Sequence, residues 1–225
     1  AVPKALSEAY REQTGLPILQ AWGMTETSPV SFQSATDDPL DKRVTTVGRV
    51  LPHLEVRIVD TQGQTVPIGE TGELCTRGYS VMQGYWDEPE HTADTIQDGW
   101  MHTGDLATMD AEGYCNIVGR LKDMVIRGGE NIYPAEIESV LQQHDAVAEV
   151  AVFGVPDDYY GEIVGAAVKL ARPVAASELQ ALCAARIAKF KVPAVIFAVE
   201  RMPLTPSGKI RKVELRDWVK ENRME

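Results

Sequence analysis

Four short stretches of this 225-residue chain combine residue types that can do chemistry. In Gln20–Pro29 (QAWGMTETSP) an apolar run ends, and an aromatic ring, a glycine, a hydroxyl and a carboxylate follow within a few positions. Trp22 offers a flat face on which a purine can stack, an interaction worth roughly 1–3 kcal/mol per base in nucleic-acid systems. Gly23 lets a ligand come close to the backbone. Thr25 can donate to a phosphate oxygen, and Glu26 is a hard oxygen ligand suited to magnesium. The same residues would equally make a strand-end turn with a buried tryptophan and a surface glutamate. In Trp100–Asp105 (WMHTGD) the carboxylate of Asp105, just past a glycine, can accept from both hydroxyls of a ribose, although aspartate is also an ordinary turn residue. His102 in the same stretch reads as structural.

The third stretch, Pro203–Lys212 (PLTPSGKIRK), sets Lys209 in a loop stiffened by two prolines and turned by a glycine. A lysine ammonium is a point charge on a flexible stem, able to bridge a carboxylate oxygen and a phosphate as negative charge shifts between them. The fourth, Gly119–Glu138 (GRLKDMVIRGGENIYPAEIE), runs through Arg120, Lys122 and Asp123 into a short apolar strand and the pair Gly128–Gly129. A helix with Pro134 in its first turn follows, carrying Ile137, Val140 and Leu141 on one face. A charged pivot, a strand, a glycine turn and a helix in that order suggest a boundary that bends.

The elements that must hold these residues divide by their periodicity. Residues 2–15 predict a helix opened by Pro3 and stopped by Gly15, and Pro17–Trp22 a buried strand of a parallel sheet whose neighbours lie elsewhere. From Thr46 to Val118 short alternating strands are separated by turns at Asp60–Gly63 and Asp110–Gly113, with a short helix over Pro89–Ile96; this predicts a small antiparallel barrel or sheet. Beyond the linker, strands are expected at Val147–Val155, Ile163–Leu170 and Val195–Val199. A further helix is expected with Ser177 and Gln180 as its capping box. The fold class is therefore α+β. It comprises the end of a large N-terminal domain with an antiparallel barrel-like part (residues 1–118), a hinge (119–123), and a small mobile α+β domain (124–225) built as a three-stranded sheet with flanking helices.

Composition narrows the function classes. A net charge of −11 argues against a general nucleic-acid surface. From Arg186 to Arg223, however, ten basic residues stand against four acidic ones, which is either a solvated helical face or a local attractor for a polyanion. Three cysteines without metal-ligand spacing favour a reducing, cytoplasmic setting and no zinc site. No apolar run is long enough for a transmembrane segment.

Together the QAWGMTETSP, WMHTGD, GRLKD and PLTPSGK blocks resemble the adenylate-forming enzymes, the AMP-binding acyl-CoA synthetase and ligase superfamily, over nearly the whole chain. The GMTE form is most like the fatty or aryl acyl-CoA ligases. The resemblance implies a two-step ligation of a carboxylic acid with ATP, magnesium and coenzyme A: an acyl-adenylate and pyrophosphate first, then a thioester and AMP. It assigns Trp22 and Gly23 to the adenine, Asp105 and Arg120 to the ribose, Thr25 to phosphate, Glu26 to magnesium and Lys209 to the reacting oxygens. Lys122 becomes the hinge, and Gly128, Gly129 and Glu130 line the thiol tunnel. The family's hydroxyl-rich phosphate loop ending in Lys-Gly is not among these residues. The chain is thus expected to be the C-terminal part of such an enzyme, needing the missing N-terminal half and showing no ATP–pyrophosphate exchange alone. Homodimer formation is compatible with this reading. Two competing readings are an adenylation domain loading a carrier protein's phosphopantetheine, which usually has proline where Met24 stands, and a non-catalytic interaction module or pseudo-enzyme.

Overall fold

The computed structural model describes residues 4–206 and 208–222. The expected helix opener Pro3, Ser207 of the Lys209 loop and the last basic residue, Arg223, lie outside the described residues. The chain forms two compact units, Ala1–Leu121 and Lys122–Glu225.

The first unit contains α1 (Lys4–Thr14), β1 (Ala21–Gly23), β2 (Val30–Gln33), α2 (Leu40–Thr45) and β3 (Arg49–Val50). It continues through β4 (Leu54–Val59), β5 (Gly72–Gly78), α3 (Pro89–Thr95), β6 (Ile96–Gln97), β7 (Trp100–Met109) and β8 (Cys115–Arg120). Strands β1, β2 and β3 make a small antiparallel sheet. The parallel strand expected over Pro17–Trp22 is not formed: only β1 is extended, and it pairs antiparallel with β2. Pro17 has no N–H to give a ladder, and the backbone of Gln20 is satisfied instead by Ser34, which accepts from Gln20 N on its Oγ at 2.8 Å and donates its own N–H to Gln20 O at 2.9 Å. Leu6, Tyr10 and Leu16 remain exposed.

The alternation of Leu54, Val56 and Ile58 does become a strand, and β4–β5–β7–β6, with β8 also paired to β7 on the edge away from β5, form a five-stranded antiparallel sheet. Phe32, Ile58, Leu74, Ala107 and Cys115 are its core, so the small sheet packs on the large one through Phe32. The segment before β3 stitches the two: Val47 N donates to Cys115 O and Cys115 N to Gly48 O, both at 2.9 Å. Position 48 must be glycine here, because a Cβ would lie 2.1 Å from the Gln33 backbone and its φ is +85°.

The second unit holds β9 (Val125–Arg127), β10 (Glu130–Ile132), α4 (Pro134–Leu141), β11 (Val147–Asp157), β12 (Gly161–Leu170), α5 (Ala176–Ala184), β13 (Val195–Ala198) and α6 (Lys212–Asn222). The three expected strands are present as β11, β12 and β13, and the β9–β10 hairpin extends them to a five-stranded sheet. Its two faces are sorted by strict alternation along β11. Val150 and Val152 pack with Ile137, Leu141, Leu179 and Cys183 of α4 and α5. Ala151, Phe153 and Val155 pack with Leu215 and Val219 of α6. Covered on both sides, β11 and β12 read as nearly unbroken apolar runs. The capping box expected at Ser177 does not form: the N-cap is Ala175, without a side-chain cap. Gln180 instead donates to Pro193 O at 3.0 Å, tying α5 to the approach to β13.

Candidate active site

Strand β7 carries the WMHTGD residues, and its pairing is interrupted where they need to turn. Glu73 pairs with Leu106 and Cys75 with His102, so Thr103, Gly104 and Asp105 together stand opposite the single Leu74. A bulge of this kind bends a strand and re-aims a side chain. Gly104, at φ +68°, supplies the left-handed residue the bend requires.

The side chain so aimed is Asp105, which is 5% exposed. Its Oδ2 accepts the indole N–H of Trp22 at 2.8 Å. Arg120, its cross-strand neighbour on β8, places Nε 2.8 Å from Oδ1. The Arg120 N–H is not aimed along that line, so Oδ1 has a neighbouring charge but no hydrogen bond. Three residues separated by up to 98 positions thus meet at one carboxylate, whose buried Oδ1 is ion-paired but accepts no hydrogen bond among the described residues. Burying an unsatisfied acceptor costs about 1–3 kcal/mol, which a bound hydroxyl would recover.

The other residues of the QAWGMTETSP block behave differently from one another. Trp22 is half-buried and packs edge-on against Phe32, with ring centroids 6.0 Å apart. Gly23 is exposed, but its lack of a side chain serves its own chain: a Cβ there would sit 1.6 Å from Pro29 O. Thr25 is exposed. Thr27 is fully buried and closes the turn, donating to Met24 O at 3.1 Å while accepting from Met24 N. Glu26 is half-buried; its Oε1 accepts the Tyr85 hydroxyl at 3.0 Å, and its backbone oxygen accepts from Met82 N at 2.8 Å. Burial, reinforced by this carboxylate, holds the Tyr85 phenol above its ordinary value. Oε2 of Glu26 has no partner among the described residues. One free carboxylate oxygen suits magnesium, which takes one or two protein carboxylates beside substrate phosphates.

Behind the bulge lies a cluster that neither motif spacing nor composition revealed. Glu73 Oε1 accepts from Gly104 N at 3.0 Å, and its Oε2 lies 2.8 Å from His102 Nδ1, which must carry the proton because a carboxylate only accepts. Cys75 Sγ lies 3.5 Å from the same nitrogen. These three residues bring their donor atoms within 4.8 Å of one another. Both carboxylate oxygens are nevertheless already committed, and burial pushes the Cys75 thiol up to about 12. The donors are spent on one another. The cue available in the sequence was β-pairing of the GELC and WMHTG segments, whose register only the folded sheet supplies.

The remaining sequence candidates belong to the second unit. Lys122 is exposed and is its first residue. Gly128 and Gly129 link β9 to β10 with φ of +58° and +89°, the type I′ geometry of a two-residue hairpin. Gly128 N donates to Tyr160 O at 2.8 Å, and Arg127 lies 3.7 Å above the Tyr160 ring. Glu130 is exposed at the start of β10. Lys209 is exposed, and its side chain has no ion pair or hydrogen bond among the described residues. Its backbone closes a small loop: Thr205 N donates to Lys209 O at 2.7 Å, and Lys209 N to Thr205 Oγ1 at 3.0 Å.

Residues 1–86 match the family model described as AMP-binding enzyme, and residues 136–209 that of the AMP-binding enzyme C-terminal domain. The chain is 50% identical to the putative acyl-CoA synthetase YngI of Bacillus subtilis over 96% of its own length and 40% of the relative's. It is 48% identical to the mitochondrial medium-chain acyl-CoA ligase ACSF2 of Bos taurus, over 99% and 37% respectively. Among solved structures, o-succinylbenzoate CoA synthetase (MenE) from Bacillus subtilis, in complex with its acyl-adenylate intermediate, superposes with a TM-score of 0.86 at 38% identity. That superposition covers 97% of this chain and 44% of the other. The chain therefore spans about two-fifths of the length of the proteins it matches. It belongs to the AMP-binding, adenylate-forming enzyme family.

Proposed function

We propose that this chain is the ribose-holding and catalytic-lysine portion of an acyl-CoA ligase. In this reading a carboxylate attacks the α-phosphate of ATP, pyrophosphate leaves, and the thiol of coenzyme A then displaces AMP from the acyl-adenylate to give a thioester. The observation that carries the reading is the Asp105 carboxylate, buried between Trp22 and Arg120 with one oxygen lacking a hydrogen bond. A ribose hydroxyl is a donor of the right size for that oxygen. Trp22 flanks the base, Asp105 and Arg120 orient the sugar, and Thr25 donates to phosphate. Glu26 would hold magnesium, which when bound offsets phosphate charge. Lys209 steadies the negative charge that moves from carboxylate to phosphate. Lys122 is the pivot, and the hairpin at Gly128–Gly129, with Glu130, lines the passage for the thiol. Relatives named medium-chain acyl-CoA ligase support a medium-chain acid as the substrate to try first. Three buried, unpaired cysteines support a reducing, cytoplasmic compartment.

The test is carboxylate-dependent ATP–pyrophosphate exchange and thioester formation by the full-length protein, offered medium-chain acids with free coenzyme A or with a carrier protein. Lys209→Ala is expected to lower exchange by about 10²–10³, the scale of losing one preorganised charge stabiliser. Thioester formation from preformed acyl-adenylate should change far less. Absence of exchange with every acid, together with absence of AMP binding, would leave a non-catalytic module as the correct reading.

A further inference from the structure

Three hydrogen bonds between side chains and backbone groups brace the bulge in β7. Thr103 Oγ1 donates to Leu74 O at 2.7 Å and accepts from Asp105 N at 3.1 Å. Gly104 N donates to Glu73 Oε1 at 3.0 Å. Glu73 is itself fixed by His102, whose Nδ1 lies 2.8 Å from Oε2. Both Glu73 and His102 are mostly buried, at 17% and 20% side-chain exposure. A charged acceptor here is stronger than a neutral one, and it holds the one residue at positive φ on which the direction of Asp105 depends.

From this we infer that Glu73, oriented by His102, is a positioning residue for nucleotide binding: it holds the Gly104 turn and so keeps Asp105 aimed at the sugar hydroxyls. This rests on the ribose role proposed for Asp105. Glu73 does not touch the nucleotide; it acts through Gly104. His102, which the motif alone marks as merely structural, becomes its anchor. Two segments of low apparent content, GELC and WMHTG, would then be one device.

The experiment measures AMP binding by titration calorimetry and Michaelis constants in the full-length protein, for wild type, Asp105→Asn, Glu73→Ala and Glu73→Gln. Glu73→Ala should weaken AMP binding about tenfold, equivalent to about 1.4 kcal/mol. It should raise KM for ATP while leaving KM for the acid unchanged. Glu73→Gln, whose amide oxygen can still accept from Gly104 N, should return to within about threefold of wild type. Added to Asp105→Asn, Glu73→Ala should cost no further affinity, because the two changes disable the same contact. Should Glu73→Ala not fold, Glu73→Asp, one methylene too short to reach both partners, carries the same expectations. If wild type binds AMP, Asp105→Asn loses it and the Glu73 variants bind normally, the inference is wrong while the ribose role survives. Additive losses in the double variant, or an equal rise in both Michaelis constants, also overturn it. If wild type binds no adenine nucleotide, both fall.

Discussion

Replacing Trp22 by phenylalanine separates two roles that the indole combines. The ring face can stack on a base, and the ring edge holds Asp105 through a hydrogen bond of 2.8 Å. Phenylalanine keeps a face and loses the donor. A hydrogen bond to a charged group contributes about 1.5–3 kcal/mol net, and the half-buried position of Trp22 places it at the lower end. The lost bond therefore predicts AMP affinity about tenfold weaker, since about 1.4 kcal/mol is one factor of ten. Arg120 neighbours Oδ1, whereas the indole donates to Oδ2, so the lost donor has no ready substitute there. Calorimetry on full-length wild type, Trp22→Phe, Asp105→Asn and the double variant gives the coupling between the two positions, expected at about 1 kcal/mol or more. An AMP dissociation constant for Trp22→Phe within twofold of wild type would refute this reasoning and return Trp22 to a stacking role alone.

Gly129→Ala should destabilise the hairpin by about 1–2 kcal/mol, because φ is +89° there and left-handed backbone is costly for residues with a Cβ; a thermal melt should fall by several degrees. Gly119→Ala, with nothing within 4 Å of the added carbon and no left-handed φ, is the contrasting change and should leave the midpoint nearly unmoved. The thiols of Cys75 and Cys115 are both pushed up by burial to about 12 from an ordinary value of 9.0. Above pH 9 the unfolded chain therefore releases protons that the folded chain keeps, and stability should decline from there towards pH 12. Below that window both thiols should resist alkylation until denaturant is added; rapid labelling of folded protein at pH 8 would contradict their burial.

Much of the architecture could be read from periodicity because each strand buries a defined face. Leu54, Val56 and Ile58 alternate and form β4, and the unbroken apolar runs of β11 and β12 reflect helices packed on both sides. Local signals failed where longer-range pairing prevailed. Pro17–Trp22 looked like a buried parallel strand, yet Ser34, fourteen residues on from Gln20, captures its backbone. Ser177 and Gln180 have capping-box spacing, but Gln180 is drawn away to Pro193. Within the candidate site, Trp22, Asp105 and Arg120 could be named from their motifs, whereas Glu73 could not. Its importance arises from a register shift between β5 and β7 that places it beneath Gly104, and no spacing rule encodes that shift. Gly23 could be picked out as special, but its smallness answers to Pro29 O.

The loop that presents Lys209 is tied at its neck, with Leu204 bridged to Ile210 and Arg211 N donating to Pro203 O at 2.8 Å. An ammonium mounted in this way has only its own four-carbon tether for local adjustment. Longer journeys would have to be made by the whole supporting body, much as a tool fixed in a handle goes where the hand goes.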